Sequence, residues 1–256
     1  MTWVLALGLA LAGTAPAADK KVELRYLGQS FFVLTTPAGT RIAIDPHAID
    51  QLGRPTAQAD LVFISHPHPY HMRLEAIENR ATAKVLEGIK VQPPSAEGGP
   101  PRSNWNPINE TFRDAKIRTV GTYHDRMQGM ERGKNSVLII EVEGLRIVHL
   151  GDLGHALSDE QIQQIGPVDV LMIPVGGVYT LNGDRAKEVL AQLKPRRLVV
   201  PMHYGVGGWD EVLPVDEFLD GLKNVRRTPA SNLIAIDPSE PAPKEPAIIV
   251  PGYGKR

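Results

Sequence analysis

Apolar residues in this chain fall into short runs, and run after run stops at a side chain able to bind a metal or move a proton. DLVFIS stops at His66, KIRTVGTY at His124, LRIVHLG at Asp152, RRLVVPM at His203 and RIAI at Asp45. Runs this short, rich in Val, Ile and Leu and bounded by Gly or Pro, read as strands. Such a chain must fold around sheets whose strand ends share a rim. Its chemistry-bearing residues meet where the loops gather.

The order of elements narrows the architecture. Val22–Leu27 alternates at period two as a strand, Ser30–Thr35 reads as a second strand, and Pro37–Thr40 is a turn between Thr35 and the buried run Arg41–Ile44. In residues 72–87, Leu74, Ile77 and Ala81 recur at helical spacing and predict a helix. Residues 91–109 hold five prolines, two glycines and Trp105, the composition of a long irregular loop: a binding loop or lid, or a surface excursion. Strand patterns resume from Arg113 to Asp152. Ser158 with Gln161 forms a capping-box signature for a helix to Ile165. Val168–Val175 is a strand, Asp184–Leu193 an amphipathic helix, Leu198–Met202 a strand and Val215–Leu222 a last helix. The Pro-rich segment 238–256 is expected to run along the surface. Strands first follow strands and later alternate with helices, which implies an α/β sandwich and not a βαβ Rossmann sheet.

Composition removes several classes of function. With 256 residues, 42% hydrophobic and 22% charged, the chain has the balance of a globular domain. Its net charge of -1 provides no general field for a nucleic-acid backbone, so no nucleic-acid partner is expected. Cysteine is absent, which excludes disulfides, thiolate ligands and cysteine nucleophiles. At the start, the apolar run Trp3–Ala12 leads to Ala15-Pro16-Ala17, the pattern of a signal peptide over 1–17 cleaved before Ala18. Periplasmic or secreted placement follows. The alternatives are a buried first element or an uncleaved membrane anchor. The run is too short for a stable membrane span.

Three of the eight histidines crowd into Ser65-His66-Pro67-His68-Pro69-Tyr70-His71. In an extended segment residues two apart point the same way, so His66 and His68 can converge on one ion. His124, Asp152 and His203 add donors at other strand ends.

These motifs carry a resemblance. YLGQSFFVLTTPAGTRIAIDP, DLVFISHPHPYH, TYHD, GLRIVHLGDLGH, VDVLMIPVGGVYT and PMHYG, in that order from about Val22 to about Gly205, resemble the metallo-β-lactamase-fold metal-dependent hydrolases, in particular the ascorbate-phosphate-lactonase-like branch. The resemblance implies an αββα sandwich of one domain over 18–237. It implies His66, His68 and His124 as ligands of a first metal, Asp152 as the carboxylate bridging two metals, and His71 and His203 as ligands of a second. Asp45 resembles an acid standing behind the ligands, or is a turn residue before Pro46. His149 and His155 are read as packing or supporting residues rather than ligands. Asp45, Tyr70 and Asp152 are the catalytic candidates. Zinc is the expected cofactor, as one or two ions, with manganese or iron as alternatives.

Two departures stand out. The family pattern HxHxDH reads HxHxYH here, with Tyr70 in the place of the acid, and the opening Gly-His-Ser reads Gly28-Gln29-Ser30. A phenol ionises near pH 10 and is a poor ligand unless the metal ionises it, so the second site should be weakened. The expected reaction is attack by a metal-bound hydroxide on an ester, lactone, amide or phosphodiester of a small molecule. No G-x-S-x-G elbow suggests an acyl-enzyme route. A metal- or ligand-binding protein with decayed catalysis is the alternative, and an iron oxidoreductase ranks last.

Overall fold

A computed structural model describes residues 21–94 and 102–253. The expected leader and its cleavage site lie outside the described residues, as does the middle of the 91–109 segment.

Two sheets form the body. The strands of the first half are β1 (Val22–Tyr26), β2 (Phe32–Thr35), β3 (Arg41–Ile44), β4 (Leu61–Ile64), β5 (Lys84–Glu87), β6 (Ile89–Gln92), β7 (Arg102–Trp105) and β8 (Asn109–Phe112). Then come β9 (Ala115–Tyr123), β10 (Lys134–Val142), β11 (Leu145–His149), helix α1 (Asp159–Ile165), β12 (Val170–Pro174), α2 (Gly183–Leu193), β13 (Leu198–Met202), α3 (Asp216–Leu219), β14 (Val225–Thr228), β15 (Leu233–Ile236) and β16 (Ala247–Pro251). The six-stranded sheet has the order β15-β1-β2-β3-β4-β5 and the eight-stranded sheet β14-β16-β13-β12-β11-β10-β9-β8, while β6 and β7 pair as a separate ribbon.

The main core lies between the sheets. Leu24, Phe32, Leu34, Ile42, Ile44 and Phe63 of one sheet meet Leu138, Ile140, Ile147, Met172, Val200 and Met202 of the other. β10 is buried on both faces: alternate residues Val137 and Ile139 turn outward and pack with Val148, Leu171 and Val199 against Ile165 of α1, Ala186, Val189 and Leu193 of α2 and Phe218 of α3. α1 starts where its sequence predicts. Ser158 Oγ accepts the Gln161 N–H and Gln161 returns the bond to the Ser158 N–H, a device worth about 1 kcal/mol.

Three local expectations change. Residues 72–87 do not form a helix. Leu74–Ala76 makes a single 3-10 turn and Lys84–Glu87 is β5, parallel to β4. The i, i+3 spacing of Leu74 and Ile77 is met by that turn, and Asn79 ends it by clamping Ala59 through both its amide atoms. The outer face of the six-stranded sheet is therefore covered by loops and 3-10 turns around Val33, Val62, Ile64 and Ile77, not by an α layer. The Pro-rich end does not simply lie on the surface: Ala247–Pro251 inserts between β13 and β14, parallel to both. Its alternating Ile248 and Val250 pack under the helices. The last helix spans only Asp216–Leu219.

β9 and β11 are both antiparallel to β10, so they point the same way, and β12 and β13 continue parallel to β11. In the other sheet β3 and β4 are parallel. Asp45, His66, His124, Asp152 and His203 each follow the C-terminal end of one of these strands.

Candidate metal centre

Asp152 is the hub. Its Oδ2 lies 3.1 Å from His71 Nε2, 3.2 Å from His124 Nε2, 3.2 Å from His203 Nε2 and 3.7 Å from His66 Nε2. All five residues are buried. Burial opposes ionisation of Asp152, but His203 and His71 outweigh it and hold the carboxyl well below the usual range. His66 is pushed well below the ordinary imidazole range, first by burial and then by His71, so its ring is neutral. For His71 burial opposes the charge, yet Asp152 and Asp45 against its two nitrogens raise it to about 10. A cation that ligates this ring competes with a proton.

Among the described residues, three sets of donors come close enough to hold an ion: His66, His68 and His71; His66, His124 and Asp152; and His71, Asp152 and His203. Within each set the donor atoms lie within 4.8 Å of one another. His68, exposed where the others are buried, joins His66 and His71 but shares no set with His124. A metal fits this centre on its own terms. His66 Nε2 and Asp152 Oδ1 are buried without any hydrogen-bond partner, an arrangement that costs free energy unless a cation satisfies it.

What holds the donors in place is mostly outside the cluster. Asp45 closes β3 with φ 49° and is fully buried. Its Oδ1 accepts the Ser65 N–H at 2.7 Å, and its Oδ2 accepts the Ser65 hydroxyl at 2.6 Å and the His71 Nδ1–H at 3.0 Å. Since the Ser65 proton goes to Asp45, its oxygen accepts from His66 Nδ1 at 2.9 Å. One carboxylate thus fixes the tautomers of two imidazoles, one directly and one through a serine. Asp45 lies behind His71 and is absent from the lining of the cavity, so it acts through other residues. Gln29, Asp45 and His203 all adopt left-handed backbone, at φ 53°, 49° and 51°, a strain that functional sites tolerate when the surroundings hold it. The His203 N–H donates to the Gln29 carbonyl at 2.8 Å, tying two of these residues together. Gln29 Nε2 also lies 3.1 Å from His71 Nε2. Asn135 Oδ1 accepts the Asp152 N–H at 3.0 Å, and the space a side chain at Gly151 needs is filled by that same Asn135 and by Ser65.

We expect Asp45→Asn to weaken metal binding by about 10–100-fold, and Ser65→Ala to weaken it where His66 is a donor. Competition with a chromogenic chelator measures both, and unchanged affinity in Asp45→Asn would show that the relay is ornamental.

Three other histidines hold backbone. His47 Nε2 faces the Leu27 carbonyl at 3.1 Å while Nδ1 accepts the Ile49 N–H, and burial pushes this ring down to about 4. His149 bridges the Ser30 carbonyl and the Gly151 N–H. His155 Nε2 accepts the Tyr123 N–H.

A cavity of about 800 Å³ opens over the cluster, lined by His66, His68, His124, Asp152 and His203. Tyr70 lines it too, half-buried, with its hydroxyl 3.5 Å from Glu211 Oε1. Burial, then Glu211, raises this phenol above its ordinary range, so it stays protonated. Trp209, Tyr179, Arg132 and Lys134 also line the wall; Tyr179 falls within the VDVLMIPVGGVYT motif, while Trp209, Arg132 and Lys134 carried no sequence signal, because each belongs to the site only through tertiary packing.

Residues 23–203 match the model of the β-lactamase superfamily domain. The chain belongs to the metallo-β-lactamase superfamily. It is similar to a UPF0173 metal-dependent hydrolase of Thermococcus onnurineus, 31% identical over 198 residues that cover 72% of this chain and 84% of that protein. A UPF0173 metal-dependent hydrolase of Thermus thermophilus is 29% identical over 191 residues, with the same coverage of 72% and 84%. Among solved structures, one described as a candidate Zn-dependent hydrolase of this superfamily from Thermotoga maritima superposes with a TM-score of 0.65 at 31% identity, covering 90% of this chain and 98% of that one. This superfamily member is a metal-dependent hydrolase with the expected α/β fold.

Proposed function

We propose that this hydrolase cleaves an ester, lactone, amide or phosphodiester of a small molecule at a zinc centre held by His66, His68, His124, Asp152, His71 and His203. The observation that supports it most is the convergence of four imidazole nitrogens on one oxygen of Asp152 within 3.7 Å. When bound, the ion supplies an activated water near neutral pH and polarises the scissile group. The chain's own residues do the rest. Asp45 and Ser65 orient His71 and His66. Tyr70, a protonated phenol at the cavity wall, offers an O–H to a leaving-group oxygen. Asp45 cannot take that part, because its oxygens are committed to Ser65 and His71. Trp209 and Val212, packed with Ile49 and Leu52, shield one side of the centre from water.

A chelator should abolish turnover of a panel of esters, lactones and phosphodiesters, and added zinc or manganese should restore it. Activity that survives verified metal removal would end the proposal. A protein that binds the ion yet turns nothing over would support decayed catalysis instead. We also propose export, with a mature chain that starts at Ala18, in the periplasm or outside the cell. The intact mass of exported protein checks this, and a retained Met1 contradicts it. Among the described residues no helix is long and apolar enough to cross a membrane.

A further inference from the structure

Away from the histidine cluster, the cavity wall is unevenly charged. Arg73, Arg132 and Lys134 line it, with Glu211 as the one lining carboxylate besides Asp152 among the described residues. Arg73 Nη1 lies 3.8 Å from Glu75 and Arg132 Nη1 3.3 Å from Glu131, and both pairs are solvent-exposed. Such pairs are loose and easily exchanged. Lys134 differs. It opens β10 half-buried, and among the described residues no carboxylate pairs with it. Its Nζ donates to the Ser103 carbonyl at 2.7 Å and lies 5.1 Å from the centre of the Trp105 ring, both neutral partners. An ammonium taken partly out of water is costly unless an anion meets it.

The wall that carries this charge is built, not floppy. Asp125 Oδ1 accepts the N–H groups of Met127 and Gly129, and its Oδ2 those of Glu131 and Arg132. These four bonds lock the loop between β9 and β10. The His124 N–H donates to the Gly133 carbonyl at 3.0 Å across the base of the same loop. A candidate metal ligand, Arg132 and Lys134 therefore sit in one rigid hairpin. Arg132 is further held with its guanidinium 5.7 Å from the Tyr179 ring centre.

We propose that the cavity takes a substrate carrying an anionic group, a carboxylate or phosphate, apart from its scissile bond, with Lys134 as the anchor and Arg132 as its support. This rests on the hydrolytic reading of the centre. The anchor raises affinity for anionic substrates and orients them, since the charge is fixed relative to His124.

The test compares 4-nitrophenyl monoesters of glutarate and pentanoate, matched in length and differing in the terminal charge. Wild type should favour the glutarate ester by about tenfold or more in kcat/KM, mostly through KM, and the preference should shrink with salt. Lys134→Met should lose the preference, with metal content as in wild type and kcat/KM falling far more for the glutarate ester than for the pentanoate ester. A phosphonate in place of the carboxylate ranks the two anions. Calorimetric binding of glutarate against pentanoate separates the two levels of argument: each offers one carboxylate to the centre, but only glutarate has a second for Lys134. If neither ester is cleaved and glutarate still loses its advantage in Lys134→Met, the hydrolytic reading fails and the anchor stands. If both esters are cleaved alike in wild type and variant, the anchor is overturned.

Discussion

His124→Ala should remove the ion held with His66 and Asp152 and lower hydrolysis by about a thousandfold or more, because the activated water goes with the ion. The fold should survive. His124 follows the end of β9, outside the hydrophobic clusters, and its Nδ1 has no hydrogen-bond partner to lose. His66→Ala should behave alike in metal content, with a small added loss from the freed Ser65 hydroxyl. Elemental analysis of the purified variants with their thermal melts checks both points. Wild-type metal content in both variants would mean the ions are held elsewhere.

Tyr70→Asp should raise the affinity for a second ion by about tenfold, or ~1.4 kcal/mol. His71, Asp152 and His203 offer three donors, and Tyr70 stands where the resemblance implies an acid as a further one. Tyr70 does not substitute for it: its hydroxyl faces Glu211, and burial and Glu211 both keep the phenol protonated. An aspartate is charged at neutral pH without help from a metal. Zinc titration of wild type and variant after metal removal reads the effect directly. Unchanged affinity would show that an acid at this position adds no ligand, and reduced turnover in the variant would report the loss of the Tyr70 O–H from the leaving-group oxygen.

The strand-end histidines were legible because short apolar runs leave little choice. Once they are strands, the residue after each one is at the rim, and parallel neighbours put those rims together. The support behind them was only half legible. Asp45 was visible as an acid near the site, but only the fold shows that it bonds His71 directly and reaches His66 through Ser65, brought against it by the pairing of β3 and β4. Residues 72–87 misled because i, i+3 spacing does not tell an α-helix from a 3-10 turn followed by an edge strand. β16 was hidden by its proline-rich flank. No local pattern says that Ala247–Pro251 will travel back to lie between β13 and β14. Lys134 and Trp209 were silent for the same reason: their role depends on which cavity the fold places them beside.

The most direct test of the account is crystallographic, with anomalous diffraction collected on either side of the zinc edge from protein loaded with zinc. A strong anomalous peak is expected among His66, His124 and Asp152, with a weaker second peak among His71, Asp152 and His203. No peak at Asp152, or one ligated by residues outside His66, His68, His71, His124, Asp152 and His203, would contradict the proposed centre.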